Sequence, residues 1–180
     1  MTVRGTAVFL VGFGAALAAG WLAFPRALYR AEAQPLQFNH QTHAGKKVGA
    51  ACGDCHALSP DGRFAGVPAT AKCGECHPDA ITDNADEKRL VAEFVKPGRE
   101  VQWGVYARQP DNAHFPHAVH TNLAKLTCER CHGEHGKSAA LRVRTVNRLT
   151  GYSRETWDMN RCLECHAENR VATGCAGCHK

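Results

Sequence analysis

The stretch FNHQTHAGKKVGAACGDCH, Phe38 to His56, decides how the chain is read. It closes on Cys52-Gly53-Asp54-Cys55-His56, a Cys-x-x-Cys-His motif and the sequence signature for covalent attachment of a c-type haem. It opens with two more histidines, His40 and His43, behind Phe38. One iron takes at most one axial ligand beyond the histidine of its own motif, so the second upstream histidine has no role at that iron.

The same motif recurs until the cysteines are used up. All ten cysteines fall in five copies: Cys52-Cys55-His56, Cys73-Cys76-His77, Cys128-Cys131-His132, Cys162-Cys165-His166 and Cys175-Cys178-His179. Cysteines three apart on a turn present both sulfurs to one edge of a porphyrin, and the histidine that follows reaches the iron. Zinc knuckles and thioredoxin-like redox sites also use Cys-x-x-Cys. Zinc sites would pair the motifs, five is odd, and zinc does not need histidine after every second cysteine. Five covalently bound haem c groups are therefore expected.

About 30 residues of exported chain per haem cannot build an ordinary hydrophobic core, so the porphyrins must serve as one. The expected fold is an N-terminal transmembrane helix plus a multihaem cytochrome c domain with little regular secondary structure. Short helices and loops, such as SPDGRFAGVPAT over 59–70, would wrap the haems. The formal net charge of +5 omits the cofactors. Ten propionates add up to about −10 and five ferric irons return about +5, leaving about 0 oxidised and about −5 reduced. The basic balance is thus no argument for nucleic acid.

Residues 5–25, GTAVFLVGFGAALAAGWLAFP, carry no charge and are long enough to span a bilayer as a helix. A cleavable signal would place a small-x-small site close behind a shorter apolar run. Ala31-Glu32-Ala33 lies too far on, past Pro25, Arg26 and Arg30, and Ala16-Leu17-Ala18 lies inside the run. An uncleaved anchor is expected. Arg4 before the span, against Arg26 and Arg30 after it, opposes that topology by the positive-inside rule. The outer location of c-type haem attachment, which the motif resemblance implies, overrides the rule and places the haem domain on the periplasmic side of the cytoplasmic membrane. Gly12 with Ala16 and Ala15 with Ala19 suit close helix packing, although membrane helices are rich in such residues anyway.

Phe38-x-His40-x-x-His43 recurs as Phe115-x-His117-x-x-His120, with eight residues before Cys52 and seven before Cys128. The chain reads as two related halves: a tail (1–4), the anchor (5–25), a linker (26–37), a first haem module with two haems (38–82), a connecting helix and loop (83–102), and a second module with three haems (103–180). In the connection, ADEKRLVAEFVKPGRE, the residues Leu90, Val91, Phe94 and Val95 cluster at helical spacing before Pro97-Gly98.

Phe-x-His-x-x-His ahead of a haem motif resembles the class III multihaem cytochromes c. In that family the first histidine caps the iron of the following motif, and the second caps a different haem. The resemblance implies that His40 serves the Cys52–His56 haem and His117 the Cys128–His132 haem, while His43 and His120 reach across to others. Of eleven histidines, five are proximal, leaving His40, His43, His114, His117, His120 and His135 for five distal positions. The repeat offset sets His114 opposite Gln37. His135 follows His132 by three residues, about 10 Å of chain at most, too little to reach the far face of the same haem. His135 is taken as the fifth distal ligand and His114 as spare, with Met159 as a competitor.

The second half resembles more narrowly the pentahaem cytochrome subunit of alternative complex III and the related cytochrome of menaquinone reductase complexes. The residues are Trp103, Pro110-Asp111, Phe115 to His120, Cys128 to Gly133, and Met159 to His166. This implies an electron-transfer subunit of a quinol:acceptor oxidoreductase complex. Its partners would be iron–sulfur/molybdopterin-like and multi-span quinone-binding subunits, and a cytochrome c or similar acceptor. A stand-alone quinol dehydrogenase of the NapC and NirT type resembles Cys-x-x-Cys-His-x-Met at its first motif; Ala57-Leu58 departs from that. A multihaem reductase enzyme needs an open iron, often with lysine in place of the proximal histidine, and all five motifs here end in histidine. A haem sensor would need an output domain, and the sequence has nothing like one.

Overall fold

The computed structural model describes residues 3–179. Met1 and Thr2 of the expected tail, and Lys180 after the last motif, lie outside the described residues.

The uncharged run forms one helix, α1, Val3–Ala27, long and apolar enough to cross a membrane. None of its side chains is buried against the rest of the protein, and Trp21 is 79% exposed. Its last third widens into a π turn at Ala19–Ala23, directly before Phe24-Pro25. Proline has no N–H and its ring crowds the carbonyl four residues back, and a wide turn relieves both faults.

Residues 26–37, expected as a plain linker, contain a strand. β1, Tyr29–Glu32, pairs antiparallel with β2, Arg144–Asn147, setting Tyr29 opposite Asn147 and Glu32 opposite Arg144. Glu32 and Arg144 form an ion pair, Arg30 joins from the other side, and Arg154 lies over the Tyr29 ring. The foot of α1 is thereby fastened to the second half of the chain.

The rest is loops and short helices, the longest α-helix among them being Met159–Glu168. The buried apolar residues are Leu36, Val91, Val101 and Val146, and no large side chain is fully buried among the described residues. Four aliphatic side chains do not make a core for a domain of this size. The connection carries the expected helix. Asn84 caps it by accepting hydrogen bonds from the Asp86 and Glu87 N–H groups. The helix runs Ala85–Arg89, continues as a π turn over Leu90–Val95, and stops before Pro97 and Gly98, whose φ is +66°. Val91 is its buried residue, and Val95 closes on Gly74 in the second motif.

Candidate haem-binding site

Each Cys-x-x-Cys-His motif sits on a helical turn: Cys52–Cys55, Thr70–Gly74, Cys128–His132, Met159–Glu168 and Cys175–Cys178. The turn is closed by the motif itself. The histidine N–H donates to the first cysteine's carbonyl at 2.8 Å in His56, 2.9 Å in His77 and 2.9 Å in His179. That bond brings the two sulfurs to one side of the turn and sends the histidine out beside them.

The structure brings the upstream histidines to the motif histidines in four pairs. His40 stands 6.5 Å from His56, ring centre to ring centre, with the planes 15° apart. His117 stands 6.4 Å from His132 at 3°. His43 faces His77 at 6.2 Å and 48°, and His120 faces His166 at 6.2 Å and 31°. Two imidazoles bound to opposite sides of one metal need a bond of about 2 Å each, plus about 1 Å from ring nitrogen to ring centre, so their centres lie about 6 Å apart. All four pairs meet that separation. Each supplies two imidazoles at that spacing, which suits the two sides of a haem iron and not the four converging ligands of structural zinc. Burial, and then neighbouring imidazoles, push the titration of His40 and His132 down and favour the neutral ring that binds metal.

Phenylalanine explains the rest of the repeated motif. Phe38 sets its edge against His40 at 4.8 Å and its face against His43 at 4.3 Å. Phe115 does the same to His117 at 5.0 Å and His120 at 4.2 Å. One rigid ring thus wedges two histidines apart, each toward a different motif histidine.

The Nδ1 nitrogen of most of these rings donates to an acceptor, fixing the tautomer that leaves Nε2 free for metal. Nδ1 donates to the Gly66 carbonyl from His56 (2.8 Å), to Asn39 from His43 (2.8 Å), to Arg63 from His117 (2.6 Å) and to Pro116 from His120 (2.9 Å). His166 donates to Ala172 (3.1 Å), and His179 to Asn112 (3.0 Å). His77 alone in this set donates to a carboxylate, Glu87 Oε1, at 2.9 Å. Burial raises the Glu87 pKa, but hydrogen bonds from Thr82, Ile81 and His77 outweigh it and hold the group at about 2. These acceptors escape sequence reading because a backbone carbonyl can belong to any residue. Asn84 at a helix start with Glu87 three residues on was a visible capping pattern, but it points to a helix and not to His77.

The loop over 59–70 does more than connect. It turns back as a hairpin at Gly62, φ +69°, with Ser59 and Asp61 closing the turn. Gly66 holds His56 of the first half, and Arg63 holds His117 of the second. The Ala118 N–H donates to the Gly62 carbonyl, and a Cβ on Gly62 would meet the Ala118 Cβ at 2.6 Å.

The motifs lie side by side in an order other than that of the sequence. Burial first, and next a neighbouring motif's sulfur, push the free thiols up: Cys73 beside Cys55, Cys52 beside Cys128, Cys131 beside Cys165, and Cys162 beside Cys178. Read as a series this is second, first, third, fourth, fifth. The first motifs of the two halves meet in the middle.

The structure places His135, taken as the fifth distal ligand, 6.5 Å from His40 at 62° and 6.1 Å from Tyr106, beside the first motif. The turn His135–Lys137 packs on His40–Ala44, which keeps it there. His114, taken as spare, lies at the fifth motif, where its backbone N–H donates to the Cys178 carbonyl at 2.7 Å. With Asn112 on His179 Nδ1, that segment backs the proximal ring on the side away from iron. Met159 is exposed in the first turn of the helix carrying the fourth motif.

Imidazoles paired across an iron-sized gap, beside cysteine turns, define a c-type cytochrome with several haems. The chain belongs to the class III cytochrome c family, whose model matches residues 23–101. It is also 42% identical over 191 residues to the "menaquinone reductase, multiheme cytochrome c subunit" of Nitratidesulfovibrio vulgaris, a match covering 98% of this chain and 90% of that protein. The protein is accordingly a multihaem cytochrome with covalently bound haem c, and it transfers electrons.

Proposed function

We propose that this chain is a membrane-anchored pentahaem cytochrome that carries electrons within a quinone oxidoreductase complex of the menaquinone reductase kind. The observation that carries the reading is the set of four imidazole pairs at 6.2–6.5 Å, with five cysteine turns beside them. Covalently bound haem supplies an iron that alternates between ferric and ferrous states. The chain's own residues do the rest. Each cysteine pair fixes a porphyrin edge. His56, His77, His132, His166 and His179 would each hold one haem iron from the motif side, and His40, His43, His117 and His120 would hold the first four from across, in the order His56, His77, His132, His166. Histidine pairs would let the iron change oxidation state with little rearrangement of ligands and would hold its potential below that of a His/Met iron.

The partner reading rests on the relative, which is named as a subunit of a menaquinone reductase. No residue here is assigned to quinone, whose site would lie in multi-span partner subunits. α1 would hold the cytochrome in the cytoplasmic membrane with its haem domain outside. The deciding experiment is purification from detergent-solubilised membranes with intact-mass analysis. Five haems on a chain that retains α1 and copurifies with a multi-span quinone-binding subunit is the expected result. A lone soluble cytochrome, or a mature N-terminus at Ala19 or Gln34, would overturn it.

A further inference from the structure

We infer that Glu87 is a positioning residue that acts through His77 to give the haem of the second motif the lowest potential of the four with paired histidines. The inference rests on the reading of His77 as a proximal ligand. His77 Nδ1 donates to Glu87 Oε1 at 2.9 Å, whereas His56, His166 and His179 donate to backbone carbonyls. A carboxylate accepts more strongly than a carbonyl, draws the imidazole proton toward itself and makes the opposite nitrogen a better donor to metal. A more basic ligand favours ferric over ferrous iron and lowers the potential.

The geometry around Glu87 keeps its charge in place and aimed. The side chain is 11% exposed. Oε1 also accepts from the Ile81 N–H at 2.6 Å, and Oε2 accepts from the Thr82 N–H at 3.0 Å and from the Thr82 hydroxyl. These donors are neutral. The cations nearby are engaged elsewhere, Lys88 with Asp83, Arg89 with Asp86 and Glu93, and Lys96 with Asp79. The negative charge is therefore hydrogen-bonded but not neutralised, and His77 receives its field. Because the second motif ends the series of neighbouring motifs, this places the lowest of those four at one end of it.

The test is potentiometric titration of the full-length protein, with the second-motif midpoint identified as the one missing from a Cys73→Ala, Cys76→Ala variant. Glu87→Gln keeps an acceptor for His77 but removes the charge. It should raise that midpoint alone and shift the paramagnetic resonance of that low-spin centre. Glu87→Asp should restore it in part. Thr82→Val loosens the same loop while leaving the carboxylate on His77, and should leave the midpoint unchanged or lower. An unmoved midpoint in a five-haem Glu87→Gln protein overturns the inference alone, as does an equal rise in Thr82→Val. Four haems or fewer in the parent by intact mass, with no midpoint lost from the double cysteine variant, overturns it together with the ligand reading.

Discussion

The two Phe-x-His-x-x-His elements agree closely where they face metal and differ in how they are held. Phe38 and Phe115 meet their histidines at distances within 0.2 Å of one another, and the corresponding imidazole pairs agree within 0.1 Å. Behind that shared face the backbones part. His40–Ala44 is an α-helical turn capped by the Asn39 side chain, while Pro116 stands in the equivalent place of the second element and a π turn, Val119–Leu123, follows. His117 Nδ1 has the Arg63 carbonyl, whereas His40 Nδ1 is buried with no hydrogen-bond partner. The shared spacing is the one that two imidazoles on opposite sides of one metal require, and that requirement leaves their support free to differ. The first element relies on its own helical cap and on Phe38. The second borrows its support from a hairpin of the other half.

The largest break in this comparison is removal of a crossing histidine. His43→Ala and His120→Ala should each leave the next haem in sequence intact and open the iron of the second and fourth motif respectively. A high-spin paramagnetic signal and carbon monoxide binding would be seen at one haem more than in the parent protein. If the affected haem were instead that of the first or third motif, the crossed pairing would be wrong.

Gly62→Ala should act next most strongly, and on the second element alone. A β-carbon at positive φ costs about 1–3 kcal/mol, and here it also meets Ala118 at 2.6 Å. Thermal unfolding should fall accordingly, with His117 loosened on its iron and His40 untouched. Equal disturbance of both distal histidines would mean that the hairpin serves the fold generally.

Smaller effects probe the shared wedge and the unshared cap. Phe38→Leu and Phe115→Leu keep bulk but lose the edge and face contacts, at about 0.5–1.5 kcal/mol each, and the two losses should match. Asn39→Ala removes the Thr42 N–H acceptor and should cost about 1 kcal/mol, measured by denaturant unfolding. Capping cannot explain the second element, so no substitution at Pro116 should reproduce that loss by this route.

The same contrast separates what could be read from the sequence from what could not. Cysteine spacing, the histidine that follows and the repeated Phe-x-His-x-x-His are legible because covalent attachment and the paired ligands impose fixed local geometry. The helix after Asn84 was legible from Leu90, Val91, Phe94 and Val95. The strand at Tyr29–Glu32 was not, since four residues without alternation pair with a segment more than a hundred residues away. Gly66, Arg63, Ala172 and Asn112 act through carbonyls that every residue possesses. Where His135 lies was not legible, because counting ligands says nothing of distance: its turn is held against His40–Ala44, beside the first motif.

The ribbon of β1 and β2 also sets an order of events. A chain is made from its N-terminus, so Tyr29–Glu32 exists long before its partner Arg144–Asn147. Between the strands lie the first three cysteine motifs; the last two come after. Closing so long a loop carries an entropic cost that grows slowly with length, and such distant pairings form late. The foot of α1 therefore stays untied while the first three motifs become available for haem attachment, and the ribbon closes over a segment in which the two halves have already been able to meet.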